Sequence, residues 1–177
     1  MNFMKQEIPG LFLVEHNLHK DDRGIFRRTF CRDEFIKAGI DLSVAQGNIS
    51  ENFRKLTLRG FHYQVEPSKE SKVITCVSGS IYNVVVDLRD QSPTQYNWQA
   101  LQIDGVSRNS IVIPAGCANA FLTLEDNTVI HYYMGDSFNP ESYRGFRYDD
   151  PRFSIQWPYE PKIISEKDAS FENYLDV

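Results

Sequence analysis

Short apolar runs broken by turn-forming residues organise most of this chain. Residues 11–14 read as a strand, and residues 24–30 read as another that opens after Asp21-Asp22-Arg23-Gly24. Residues 33–38 begin with acidic side chains and stop at Gly39, the punctuation of a short helix. Beyond that point the pattern is mostly strand and turn. Residues 72–77 and 81–88 flank Ser78-Gly79-Ser80, which predicts a hairpin. Residues 110–113 end at Pro114-Ala115-Gly116, and residues 128–134 follow the turn Glu125-Asp126-Asn127. Residues 140–161 hold four of the eight prolines and predict an irregular wrap with a small helix. Closely spaced short strands, without long helical periods between them, predict an all-β barrel or double-sheet jelly roll and exclude a doubly wound α/β fold. With no repeat or linker, residues 1–177 read as one domain.

Composition narrows the function. The 12 Phe and 9 Tyr favour strands and a sizeable core. A net charge of -5 argues against a nucleic-acid-binding surface, while leaving room for a local basic pocket. Residues 1–10 carry charge and a proline where a secretory signal would be apolar. No stretch approaches the roughly 20 apolar residues of a spanning helix. The reading is a cytoplasmic protein without a membrane partner. Cys31, Cys76 and Cys117 are isolated, with no CxxC pair, and read as buried free thiols.

The richest chemistry lies in Leu58-Arg59-Gly60-Phe61-His62-Tyr63-Gln64. On a regular strand Arg59, Phe61 and Tyr63 face one way, and His62 and Gln64 the other. A lone strand histidine is more often structural. Here Arg59 and then Lys72 add fixed cations, a combination suited to an anion or a developing oxyanion. A metal-binding barrel needs several His and carboxylate ligands converging on one ion. His62 has no second histidine nearby, and Asn119 stands where such a barrel would usually offer one, so neither a metal nor a redox cofactor is expected. Tyr132 shares a face with Thr128 and Ile130, the ordinary position of a packing residue. It becomes a general-acid candidate only if it meets His62 across a cavity. Ser165-Glu166-Lys167-Asp168, taken alone, is a charged helix-starting turn.

Over nearly its full length the chain resembles the dTDP-4-dehydrorhamnose 3,5-epimerase family. Similar stretches run in the family's order, from Asp22-Arg23-Gly24-Ile25-Phe26 and Gln46-Gly47-Asn48-Ile49-Ser50 through the His62 segment. Asp87-Leu88-Arg89, Ser92-Pro93-Thr94, Ile113-Pro114-Ala115-Gly116, Asp150-Pro151, Ile155-Gln156-Trp157-Pro158 and the Asp168 segment follow. The resemblance implies a cupin-type jelly roll and a homodimer. It also implies cofactor-independent inversion of C3, C5 or both in a nucleoside-diphosphate 4-keto-6-deoxy sugar, hexose or heptose, for surface polysaccharide. By position, His62 would be the general base, Asp168 its partner, Tyr132 the acid on the opposite face and Lys72 the cation at the enolate oxygen. Arg23, Phe26, Gln46, Asn48 and Arg59 would hold the nucleotide diphosphate or base.

Three positions depart from the family's pattern. Asn119 replaces a histidine, Arg28 stands where many members have glutamate, and Phe138 sits where an aromatic hydroxyl is often found. These departures, counted with the substrate-binding positions, point toward CDP- or GDP-linked sugars. A related keto-sugar isomerase and a non-catalytic sugar-nucleotide binding module are the competing readings.

Overall fold

The computed structural model describes residues 1–174. Its first strands are β1 (Asn2–Lys5), β2 (Phe12–Glu15), β3 (Leu18–Asp21) and β4 (Gly24–Arg27), followed by helix α1 (Arg32–Lys37). Next come β5 (Gln46–Asn52), β6 (Thr57–Gln64), β7 (Lys72–Ser78), β8 (Ser80–Asp87) and β9 (Trp98–Asp104). The chain continues with β10 (Ser110–Ile113), β11 (Cys117–Thr123), β12 (Thr128–Met134), β13 (Tyr143–Gly145), β14 (Ile163–Ile164) and helix α2 (Glu166–Ala169). One sheet runs β1-β2-β10-β7-β12-β5, and the other runs β13-β6-β11-β8-β9 with β14 parallel to β6. The two sheets face each other as a cupin-type jelly roll. Strands β3 and β4 form a separate two-stranded ribbon.

Alternation along the strands fills the space between the sheets. Ile74, Cys76, Ile111 and Ile130 from the first sheet meet Ile81, Val85, Ile103 and Phe121 from the second. The outer face of the first sheet is covered by α1, whose Phe35 packs with Phe12, Val14 and Val73. On the second sheet, Val84 and Val86 point outward and are covered by Phe146, Phe153 and Trp157. That accounts for the uninterrupted Val84-Val85-Val86 run, since both faces of β8 are buried.

Several expectations are corrected here. The hairpin across Gly79 does not form: β7 pairs with β10 and β12, whereas β8 pairs with β9 and β11. Both segments are apolar on their inner sides, so they lie opposite each other across the core. The chain changes sheets at Gly79, whose φ of 76° suits glycine and whose missing Cβ would run into Thr128. The strand expected over 24–30 stops at Arg27, because β4 has only β3 as a partner. The wrap over 140–161 is irregular, as expected, but contains the short strand β13 and no helix. The small helix lies later, at α2.

Cys76 and Cys117 are buried, Cys31 is half-buried, and all three are free. Burial pushes the thiols of Cys76 and Cys117 up to about 12, which keeps them protonated and unreactive. Among the described residues, no helix is long and apolar enough to cross a membrane.

Candidate active site

The site begins with an irregularity in β6. Asn119 of β11 lies opposite His62, and Phe121 lies opposite Arg59, so β6 carries an extra residue at a bulge. Gly60 occupies it with φ of 108°, and a Cβ there would sit 2.6 Å from the Asn119 carbonyl oxygen and 2.8 Å from Ala120. The bulge breaks the expected alternation. Arg59 and His62 reach the same cavity, while Phe61 turns outward and stacks on Phe146 with ring centroids 4.6 Å apart. Gln64 is buried beside Glu70 instead of sharing the cavity face with His62.

The cavity holds about 300 Å³, at the small end of the range typical of small-molecule sites. Asn48, Ser50, Lys72 and Tyr132 line it from the first sheet, and Arg59, His62, Asn119 and Phe121 from the second. Tyr143 and the half-exposed Phe138 complete one side, with their rings 5.5 Å apart.

The His62 ring nitrogen Nε2 lies 2.8 Å from Asp168 Oδ1, a contact between the middle of the chain and its C-terminal region. Asp168 Oδ2 accepts the Gly60 N–H at 3.1 Å, and Ser165 caps α2 by accepting the Asp168 N–H at 3.0 Å. Burial works to raise the Asp168 carboxyl, but the hydrogen bond and charge of His62 outweigh it and hold the group below its usual range. With Nε2–H donated to Asp168, Nδ1 is the nitrogen left to accept a proton.

Lys72 opens β7 and is almost fully buried. Its ammonium pairs with Glu70 at 3.1 Å and donates to Asn119 Oδ1 at 3.2 Å and to the His62 carbonyl at 3.4 Å. The cation therefore reaches from the first sheet to the second. Tyr132 packs against the central core beside the cavity. Burial pushes its phenol well above the usual range, against the pull of the Arg59 charge and a hydrogen bond with Ser50. It is held as a neutral O–H, a proton donor.

The other sequence-predicted residues divide into two groups. Asn48, Arg59, Asn119 and Phe138 line the cavity, and Arg59 is steadied by donating to Asn52 Oδ1 at 2.8 Å. Asn119 is less free than expected: its oxygen accepts from Lys72, and its Nδ2 donates to Asn83 at 3.2 Å. Gln46 serves the site indirectly, accepting the Phe138 N–H at 2.9 Å. Arg23, Phe26 and Arg28 are not brought to the cavity within this chain. Arg23 is paired with Asp21 at 2.6 Å on the exposed ribbon, Phe26 lies open beside it, and Arg28 is paired with Glu34 at 3.2 Å.

Glu70 and Tyr143 are among the lining residues that escaped the sequence reading. Glu70 lies two residues before Lys72, so strand alternation could have placed both on one face. Tyr143 lies in the irregular wrap, where no periodicity marks it. Its ring is 5.5 Å from that of His62, and burial raises its phenol, aided by the nearby Asp168 and Glu70 charges. Among the described residues, no group of three or more His, Cys, Asp or Glu side chains is placed to hold a metal ion.

A histidine–aspartate pair on one wall, a neutral phenol on the other and a buried cation reaching across make a cavity suited to acid–base chemistry in a cupin-type barrel. The profile of the family described as dTDP-4-dehydrorhamnose 3,5-epimerase matches residues 5–176, and the chain belongs to that family. It is 32% identical to a dTDP-4-dehydrorhamnose 3,5-epimerase of Shigella flexneri, over 100% of this chain and 98% of the relative. It is also 32% identical to a dTDP-4-dehydrorhamnose 3-epimerase of Streptomyces niveus, over 91% of this chain and 78% of the relative. A crystal structure of the Bacillus anthracis 3,5-epimerase, with TDP and pyrophosphate bound, superposes with a TM-score of 0.94 at 29% identity. That likeness covers 98% of this chain and 99% of the other.

Proposed function

We propose that this cytoplasmic enzyme inverts C3, C5 or both carbons of a dTDP-linked 4-keto-6-deoxyhexose, supplying an activated sugar for surface polysaccharide. The observation that carries the reading is the placement of His62–Asp168 and Tyr132 on opposite walls of one cavity. His62 Nδ1 takes the proton from the carbon beside the C4 ketone. The electron pair of that C–H bond forms a C=C bond, and the carbonyl oxygen becomes an enolate facing the Lys72 ammonium. The Tyr132 O–H then delivers a proton to the same carbon from the other face, and solvent restores both groups. Loss of one fixed donor to such an oxygen typically costs about 3–4 kcal/mol. A positioned acid or base contributes roughly 10²–10⁴-fold.

Of the three departures that suggested CDP- or GDP-linked sugars, Phe138 lines the cavity, whereas Asn119 and Arg28 are engaged within the chain. Asn119 spends its amide on Lys72 and Asn83, and Arg28 is bound to Glu34 outside the cavity. The relatives named above act, by name, on dTDP sugars. The β3–β4 ribbon adds a homodimer to the proposal. It carries Arg23 and the exposed Ile25 and Phe26 away from the chain's own cavity, while Ile49 lies exposed on the edge strand β5 at that cavity. A second copy laying its ribbon there would cover this apolar surface and bring cations to the diphosphate.

The test is incubation with dTDP-, CDP- and GDP-linked 4-keto sugars in D₂O, followed by NMR of the ring protons. Deuterium entry with inversion on the dTDP sugar is expected. Migration of the keto group would make the chain an isomerase of another kind, and binding without exchange would make it a binding module. Light scattering should return twice the chain mass.

A further inference from the structure

The Lys72 ammonium sits in a largely neutral setting. Two of its contacts are amide or carbonyl oxygens, from Asn119 and His62. Behind Asn119 lies Asn83, another neutral amide, fully buried, whose Nδ2 has no partner among the described residues. A buried cation in such surroundings needs an anion. Glu70 supplies it, with side-chain exposures of 6% for the carboxylate and 10% for the lysine. Glu70 Oε2 is in turn held by Gln64 Nε2 at 2.7 Å. Gln64 extends the chain of contacts, accepting the Asn139 N–H at 2.8 Å. The Gly135 N–H also donates to the Ser71 carbonyl at 2.7 Å. The segment bearing Phe138 is thereby laced to the segment bearing Glu70.

We propose, resting on the reaction given above, that Glu70 is a positioning residue for Lys72. It keeps the ammonium directed into the cavity, and it ties that position to the Phe138 segment. Enolate stabilisation then depends on a carboxylate that itself exchanges no proton with the sugar. The other titratable or charged groups around the cavity are Arg59, His62 and Tyr63 on β6, Tyr132 on β12 and Tyr143 on β13, with Asp168 behind His62.

The experiment measures kcat and KM of α-proton exchange for the wild type, Glu70→Gln and Glu70→Asp. Glu70→Gln should lower kcat about tenfold or more, as expected for a displaced oxyanion donor, with KM changed less than about twofold. Glu70→Asp, which keeps the carboxylate, should restore most of the lost kcat. In a Lys72→Met background, adding Glu70→Gln should cost nothing further, and this double variant leaves no unpaired charge buried if the single variant folds poorly. A normal kcat in Glu70→Gln, or losses that multiply in the double variant, would overturn the role of Glu70. A wild type without exchange would instead overturn the reaction itself.

Discussion

Asp87 and Asp168 are both buried carboxylates held below their usual range, yet they are assembled in opposite ways. Asp87, the last residue of β8, is met by neighbours two, five and seven residues away. The Arg89 guanidinium donates to both of its oxygens at 2.8 Å, and the hydroxyls of Ser92 and Thr94 add bonds of 2.6 and 2.7 Å. Burial works to raise this carboxyl, and those hydrogen bonds override it. Asp168 instead draws on His62 and Gly60, 106 and 108 residues away. Its partner His62 keeps a nitrogen unspent. The first cluster is saturated by local donors and finishes a turn. The second has Ser165 as a local contact but takes its main partners from a distant strand, and it retains capacity to exchange a proton with something else.

If that contrast holds, the largest effect belongs to His62→Asn. Exchange of the α-proton should fall by about 10²–10⁴-fold or more, with the melting temperature and nucleotide binding nearly unchanged. Normal deuterium incorporation would show that the base lies elsewhere. Tyr132→Phe comes next, because it divides one step from the other. Deuterium should still enter, with retention, while inversion falls by about 10²–10⁴-fold. NMR of a single sample reads both rates, and a proportional loss of both would remove Tyr132 from the mechanism.

Asp87→Asn should reverse the pattern by costing stability of about 3 kcal/mol in urea unfolding, as for a broken buried pair. Exchange per folded molecule should stay normal. The sign with pH follows from the depressed carboxyl. Its stabilisation is complete above the ordinary carboxylate value of 3.8 and is lost as the pH falls below that toward the lower folded value. The variant's stability should therefore fall less steeply in that acid window than the wild type's. The smallest effect is expected from chelation: exhaustive dialysis against EDTA should leave the exchange rate unchanged. Loss of activity restored by zinc, iron or manganese would defeat the proton-transfer scheme.

Much of this was legible in the chain before any coordinates, because strand alternation and turn residues are local signals. Residues 110–113 and 128–134 became strands β10 and β12 with the expected bounds, and Tyr132 took the inward face that its parity assigned. What failed was mostly non-local. Gly79 between two apolar runs looks the same whether the chain folds back within a sheet or crosses to the facing one, since the later strands that pair with β7 and β8 decide the matter. Gly60, a glycine inside a strand pattern, was a local hint of the bulge that strict alternation passed over, and with it went the relative facing of Arg59 and His62. The pairing of His62 with Asp168 came from family resemblance, as spacing says nothing about residues 106 apart. Tyr143 had neither signal.

The C-terminal region contributes more than a partner for His62. Both β13 and β14 lie along the same flank of β6, covering Tyr143 to Gly145 against 62–64 and Ile163 to Ile164 against Thr57 and Leu58. During synthesis the ribosome releases β6 roughly a hundred residues before these covers, at ordinary elongation rates several seconds earlier. For that interval the nascent chain carries a bare strand edge, the kind that recruits wrong partners. The same late arrival delivers Asp168, so the partner of His62 and part of the cover for the vulnerable edge come from one short stretch of chain. Chains terminated before residue 163 should therefore lack the His62–Asp168 pair and be prone to clump.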